Sequence, residues 1–292
     1  MSWIVLVNPR AGRRPVDTDR LAAILASRQV PAETHVVGSA ADMRAAVAEV
    51  ATSGRDLAVA GGDGTVSMAV DVLVGGRFDR MPRLGVLPTG TGCDLMRTFG
   101  FAGLSLEGAV ERLHGDATYH IDVGRLSGAW GDRHFVNVAQ TGVGAAAAET
   151  APRISRSLGS VRYPMAFVAR LPRFPTGRVR IGGSRTMEGP ALGVIIANGQ
   201  FFAGGWNIAP KALLVDGAFD VQVIDARKVE APILVPKLMA GTHLGLPNIW
   251  RRSMSHITVE VDQDWPVEAD GDFLGRAPFE ASVVPGAIEL KV

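Results

Sequence analysis

The stretch DLAVAGGDGTVSMAV, residues 56–70, decides how this chain is read. Its first five residues form an apolar run of strand length, and a helical stretch follows from Thr65 to about residue 74. Between them Gly61, Gly62 and Gly64 surround a single charge, Asp63. Glycine belongs where a chain turns tightly or where a ligand needs close approach to the backbone. A strand that ends in such a turn and feeds a helix is the repeating unit of an α/β fold, and the helix N-terminus it creates is a ready anion site.

The same alternation extends outward on both sides. Residues 3–7, 32–37 and 83–88 read as further strands, and 17–28, 40–52, 92–98 and 105–114 as helices. In the first of these helices Leu21, Ile24 and Leu25 share one face, with Asp17 or Thr18 as N-cap. Alternating strands and helices predict a parallel sheet with right-handed crossovers. After Asp122 the pattern changes. Segments at 134–140, 179–181, 191–198, 219–224, 256–261 and 279–284 are strand-like, many with period-two alternation, and one apolar helix falls within 229–241 despite Pro232 and Pro236. The expected architecture is therefore an α/β domain over residues 1–123, to which a segment of about 285–292 returns, and an antiparallel β-sandwich over 124–284.

Bulk properties narrow the function classes. With 292 residues and 47% hydrophobic composition, the chain can bury two medium cores. A net charge of +1 gives no global signal for nucleic acid, and one cysteine, Cys93, rules out an internal disulfide framework and fits a reducing cytoplasm. No apolar run approaches the roughly 20 residues of a membrane-spanning helix, and the N-terminal run is too short for a signal peptide. The six histidines show no metal-binding spacing. Charge is nonetheless uneven. Between Glu149 and Glu188 there are eight arginines and no acidic residue, interleaved with Tyr163, Phe167, Leu171 and Phe174. This 153–185 segment reads either as a contact with an anionic membrane surface or as a solvated arginine-rich face.

Three loops, NPRAG (8–12), GGDGT (61–65) and PTGTG (88–92), follow strand ends, where open α/β sheets bind ligands. Together they would make a phosphate cradle. The P-loop pattern is absent, and so is GxGxxG after the first strand, which leaves an atypical nucleotide site with an acidic residue inside its phosphate loop. These loops, with LPTGTGCDLMR, APKALLVDGAFDV and ADGDFLG further along, resemble the bacterial diacylglycerol kinase family and its sphingosine kinase relatives. The motifs stand in the family's order and cover nearly the whole chain. GGDGT alone is shared with NAD kinases, whereas GGDGT followed by LPxGTxxDxxR is much more specific.

The resemblance implies an NAD kinase/diacylglycerol kinase-like α/β nucleotide domain, a β-sandwich lipid domain and an active site between them. It implies that Asn8, Pro9, Arg10, Ala11, Gly12, Thr34, Gly61, Gly62, Asp63, Gly64, Thr65, Val66, Ser67 and Thr91 surround ATP. It makes Asp270 the general base for the lipid hydroxyl, with Asp63 and Asp272 shaping the magnesium and proton network. It assigns a structural Mg²⁺ to Asp216 and the carbonyls of Leu213 and Ala218. Such chemistry suits these residue types, since phosphoryl transfer depends on positioning and charge neutralisation and a hard cation prefers oxygen donors. Read without the resemblance, Asp270-Gly271 and Asp216-Gly217 are equally hairpin corners. The chain departs from the family pattern at Ser67-Met68, where Asn-Glu is usual, at Cys93 in place of asparagine, and at Asp272 in place of glutamate. Three readings follow: a cytoplasmic lipid kinase recruited to the inner membrane face, a soluble-substrate kinase of the NAD kinase type, and a lipid-binding module of weak or no activity. The lipid is not specified, and the oligomeric state stays open, a homodimer being one option.

Overall fold

The structure is a computed structural model that describes residues 2–12, 16–89, 93–101, 103–155, 158 and 162–292. The chain divides into two compact units, Met1–Val123 with Pro285–Val292, and Gly124–Val284.

The first unit runs β1 (Trp3–Val7), α1 (Thr18–Ser27), β2 (Ala32–Val36), α2 (Ala40–Thr52), β3 (Asp56–Gly61), α3 (Asp63–Gly75), β4 (Leu84–Pro88), α4 (Asp94–Thr98) and α5 (Leu106–Glu111). The strands pair in parallel in the order β2-β1-β3-β4. All six residues of β3 are buried, as a strand covered on both faces requires. Helix α1 starts where Asp17 accepts the Arg20 amide at 2.9 Å, and α2 where Ser39 accepts the Asp42 amide at 3.1 Å. The buried faces are Leu21, Ile24 and Leu25 in α1 and Met43, Val47 and Val50 in α2. At the other end of β3, Asp56 is fully buried and bound by Arg83 (2.7 Å) and Arg80 (2.8 Å). Burial pushes its carboxyl up, but the hydrogen bonds and charges of the two arginines outweigh this and hold it below the usual range.

Strand β5 (Thr118–Gly128) begins in the first unit and ends in the second, where it forms a hairpin with β6 (Gly131–Phe135). Then come β7 (Val138–Gly142), α6 (Val143–Thr150), α7 (Arg162–Arg170), β8 (Gly177–Gly183), β9 (Met187–Ala191), β10 (Gly193–Ala197), β11 (Phe219–Ile224), α8 (Ala231–Ala240), β12 (Ile249–Met254), β13 (His256–Val261), β14 (Pro266–Ala269), β15 (Asp272–Arg276) and β16 (Phe279–Lys291). One antiparallel sheet has the order β12-β11-β10-β7-β14-β15. Strands β9, β8, β13 and the first part of β16 form a second antiparallel set. Val194, Ile196 and Val221 of the first sheet share one core with Val179, Ile181, Ile257 and Val259 of the second. The α/β-then-antiparallel architecture expected from the sequence is the one observed.

The end of β16 returns to the first unit. Leu290 pairs in parallel with Leu84, the Gly286 amide donates to Asp122 Oδ1 at 2.8 Å, and Lys291 Nζ donates to the carbonyls of Gly115 (3.0 Å) and Ala117 (3.1 Å).

Candidate active site

In the first unit, the ends of β1, β2 and β3 bound an open cleft of about 350 Å³. Asn8, Arg10 and Ala11 line it from the first loop, Val37, Gly38, Ser39 and Ala40 from the loop after β2, and Gly62, Gly64, Thr65 and Met68 from the start of α3. The loops are tied together. Asn8 Nδ2 donates to Thr65 Oγ1 at 3.0 Å, and Asn8 Oδ1 accepts the Arg10 amide at 3.0 Å. Gly61 is required sterically, because a Cβ there would lie 2.5 Å from Thr65. Gly62 and Gly64 have no protein atom within 4 Å of where a Cβ would stand, so their missing side chains are space in the cleft itself. The N-cap of α3, Gly62, supplies no side-chain cap to the first-turn amides. Among the described lining residues Arg10 is the one charged group, and Val37, Met43 and Met68 add apolar wall. Uncapped helix amides, an arginine and no carboxylate in the lining suit a polyphosphate.

Asp63 is committed to a neighbouring loop: its Oδ1 accepts the Asp94 amide at 2.6 Å, the first residue of α4. Helix α4 has Cys93 as N-cap and no side-chain cap of its own, so Asp63 takes that role from a distance. Asp63→Ala should lower stability by about 1 kcal/mol, the usual worth of a cap; a urea midpoint equal to that of the parent chain would show that the contact is idle. The Cys93 thiol is buried, and burial together with the nearby charge of Asp63 raises it well above its ordinary range. A thiol so placed is inert as a nucleophile.

In the second unit, the β14–β15 turn carries Asp270 and Gly271, both in the left-handed region (φ 49° and 92°). Asp270 Oδ2 accepts the Val136 amide at 2.8 Å, and Oδ1 accepts those of Asn137 (2.9 Å) and Val138 (3.1 Å). These charge-assisted bonds fix the carboxylate's orientation. They also explain why residues 134–140 are not the single strand expected from sequence: at Val136 and Asn137 the amides turn to Asp270 and β6 and β7 separate. Asp272 pairs with Arg133 at 2.8 Å. Behind the turn Glu268 is fully buried, accepting Gln140 Nε2 on Oε1 (2.6 Å) and the Gly271 amide on Oε2 (2.8 Å). Burial pushes its carboxyl up to about 8; the two hydrogen bonds oppose this and the charges of Asp270 and Asp272 add to it. Asp270 in this unit thus sits over a buried acid that sequence reading did not single out. Glu268 and Gln140 are 128 residues apart, and no local signal joins them.

Gln140 also donates to the Tyr163 hydroxyl at 3.2 Å, and that hydroxyl donates to the Gly144 carbonyl at 3.1 Å. Burial foremost, and the charge of Glu268, keep the phenol protonated. The ring meets Phe202 and Trp206 edge-on, with centroids 4.8 and 5.2 Å away. Gln140, Tyr163 and Trp206 line a narrow apolar slot of about 40 Å³, with Phe167, Leu171, Ile208, Leu234 and Val235. Trp206 is therefore both buried packing and slot wall, whereas Phe202 belongs to the core behind it.

Of the residues expected around a nucleotide, Asn8, Arg10, Ala11, Gly62, Gly64 and Thr65 meet at the cleft. Thr34 lies within β2 opposite Val5, away from the lining. Val66 and Ser67 are 1% exposed and face inward. Pro9 and Gly12 belong to the first loop without lining the cleft, and Thr91 lies outside the described residues. The 37–40 turn was not anticipated, although its Gly-Ser pair before a capped helix was a usable signal. Asp216 and Leu213 are exposed and Ala218 is half-buried; Asp216 Oδ1 accepts the Ala218 amide at 3.2 Å across Gly217 (φ 70°). One carboxylate oxygen of Asp216 is thus engaged by its own turn.

Residues 2–126 match the family description "Diacylglycerol kinase catalytic domain", and residues 137–292 match "YegS C-terminal NAD kinase beta sandwich-like domain". A Mycobacterium tuberculosis protein named diacylglycerol kinase is 30% identical over 98% of this chain and 93% of its own length. Lipid kinase YegS of Escherichia coli is 28% identical over 80% and 76%. The chain belongs to the diacylglycerol kinase family of lipid kinases. A diacylglycerol kinase structure from Bacillus anthracis superposes with a TM-score of 0.74 at 20% identity, covering 99% of this chain and 96% of that one, which shows a common fold. Among the described residues no helix is long and apolar enough to cross a membrane.

Proposed function

We propose that the chain transfers the γ-phosphoryl group of ATP, bound with Mg²⁺, to a hydroxyl of a diacylglycerol-like lipid. Asp270 takes the hydroxyl proton as the new P–O bond forms and ADP leaves. The observation that carries this reading is the glycine cleft, whose open space at Gly62 and Gly64 and single cationic lining residue suit a polyphosphate. The narrow apolar slot lined by Gln140 and Tyr163 has the chemistry that acyl chains need and would have to widen to admit one. Relatives named diacylglycerol kinase favour that lipid. Mg²⁺ accompanies the nucleotide, and Asp216 with the carbonyls of Leu213 and Ala218 holds a second, structural ion. The enzyme is cytoplasmic and meets its substrate at the inner membrane face.

The test offers the purified chain labelled ATP and Mg²⁺ with dioctanoylglycerol, sphingosine, a polyprenol or NAD in separate reactions. Label in dioctanoylglycerol is expected. Label only in NAD favours the soluble-substrate reading, and none in any acceptor favours a binding module, for which Met68 in the cleft is the specific motive. The nucleotide half has its own check. MgATP at 100 times its dissociation constant should stabilise the chain by about 2.7 kcal/mol. Gly64→Val places its side chain in open cleft space at an unstrained backbone position, so the fold should persist while this stabilisation is lost. Thermal shifts with and without MgATP read both; an undiminished shift in the variant moves the nucleotide elsewhere.

A further inference from the structure

The sequence points to the arginine-rich segment 153–185 as the membrane contact, but the structure uses much of that charge internally. Arg162 donates to the carbonyls of Ile154 and Ala151, Arg178 and Arg180 pair with Glu188, and Arg170 lies 3.7 Å from Glu149. What stands out instead is the apolar surface of that segment's own helix α7 together with that of α8. Helix α8 is apolar on both sides. Leu234 and Leu238 face inward, while its outer stripe and the turn before it present Val229 (77% exposed), Pro232, Ile233 (66%), Pro236 and Met239 (40%). Helix α7 does likewise, with Ala166 buried and Met165 (48%) and Val168 (67%) outside. A soluble helix normally turns polar residues outward, so an all-round apolar one needs a covering phase.

The two helices are neighbours at the slot. Phe167 and Leu171 line it from one side and Ala231 and Val235 from the other, with exposed Arg227 on its rim. Lys228 Nζ bridges the sides by donating to the Pro172 carbonyl at 3.0 Å. Around the apolar stripes stand Arg170, Arg173, Arg227, Lys228 and Lys237. Among the described residues, Arg173, Lys228 and Lys237 have no carboxylate within salt-bridge distance. Apolar side chains bordered by cations, three of them without a carboxylate partner, match the boundary of an anionic bilayer, where tails and headgroup charge lie a few ångströms apart. Ten residues of α8 extend only about 15 Å, half a bilayer core, so the helix lies in the surface and does not span it.

We infer that the outer faces of α7 and α8 dock on an anionic phospholipid bilayer, with Val168, Val229 and Ile233 entering the headgroup boundary and presenting the slot between the helices to membrane lipid. The reading of the slot as a lipid berth rests on the proposed kinase function; the docking itself does not.

The experiment is vesicle co-sedimentation of the full chain, using phosphatidylcholine alone and phosphatidylcholine with phosphatidylglycerol, at low and high salt. The parent chain should bind the anionic vesicles, and less so at high salt. Val168→Glu with Ile233→Glu should weaken that binding about tenfold or more, and the milder double serine variant should follow in the same direction. Arg173→Glu with Lys237→Glu should remove only the phosphatidylglycerol-dependent part. Because none of these side chains lines the slot or the cleft, phosphorylation of monomerically dispersed dioctanoylglycerol should stay within about twofold. Binding that survives both apolar double variants overturns the inference. So does light scattering that finds a dimer which Ile233→Glu dissociates while vesicle binding is unchanged, since the face would then belong to a second copy. If no acceptor is phosphorylated yet vesicle binding still depends on Val168 and Ile233, the kinase reading fails and the docking stands.

Discussion

Asp270→Asn should lower kcat for lipid phosphorylation by about 10²–10⁴, the usual worth of a positioned proton acceptor, while leaving the stabilisation by MgATP intact. The substitution is not neutral for the fold. Both carboxylate oxygens accept amide hydrogens, from Val136 on Oδ2 and from Asn137 and Val138 on Oδ1. An amide side chain must turn its NH₂ toward at least one of those donors, leaving a bond unmade at about 1–3 kcal/mol. Activity must therefore be compared on protein whose folded fraction is known, from the same thermal scans that report the ATP shift. Asp270→Ala makes the contrast sharper, since three amides lose their acceptor and the stability loss should exceed that of the asparagine variant. If folded Asp270→Asn turns over lipid at the parent rate, the carboxylate serves only to hold the 136–138 turn. The three amides also qualify the chemistry. In the proposed reaction a carboxylate so engaged orients the lipid hydroxyl and receives its proton as the P–O bond forms.

The second large effect is on pH dependence. Glu268 has an ordinary value of 4.5 and is pushed up to about 8 in the folded chain, chiefly by burial. Folded protein therefore holds this proton over a range in which unfolded chains release it. The contribution to stability is complete below pH 4.5, declines as pH rises through the window to about 8, and is flat above. Its full span is on the order of 5 kcal/mol. Glu268→Gln removes the titration. The variant should be less stable than the parent near pH 5, because both oxygens of Glu268 accept N–H donors and an NH₂ group must now oppose one of them. Urea midpoints measured from pH 5 to 9 should fall more steeply in the parent chain, so that the two curves approach or cross. Parallel curves would mean that Glu268 is ionised in the fold throughout.

What could be read in advance follows physical lines. Strands such as WIVLV and DLAVAG announce themselves because a parallel strand buried on both faces must be apolar throughout. Helix α1 declares its ends through Asp17 and its face through Leu21, Ile24 and Leu25. The glycine turns were legible because close backbone approach leaves a compositional trace, and several of their residues meet at one cleft. Less legible were features made by distant partners. The break between β6 and β7 depends on a carboxylate 133 residues away from Asn137, and the buried Glu268–Gln140–Tyr163 chain joins three separate elements. Helices α6 and α7 were missed for another reason. Helix α6 is alanine-rich and follows directly on β7 with no side-chain cap to mark its start, and in α7 the inward contacts of Ala166 and Phe167 are interleaved with arginines and obey no long periodicity.

The path of β16 bears on how the protein is made. The first unit contains residues 1–123 but closes only when 285–292 lay Leu290 beside Leu84 and Lys291 against the Gly115 and Ala117 carbonyls. The second unit is one uninterrupted segment, so it can mature on the ribosome while the earlier-made strands still wait for their last neighbour. A message cut short before residue 285 would yield a chain whose β4 edge stays open, and proteases would be expected to clear such fragments.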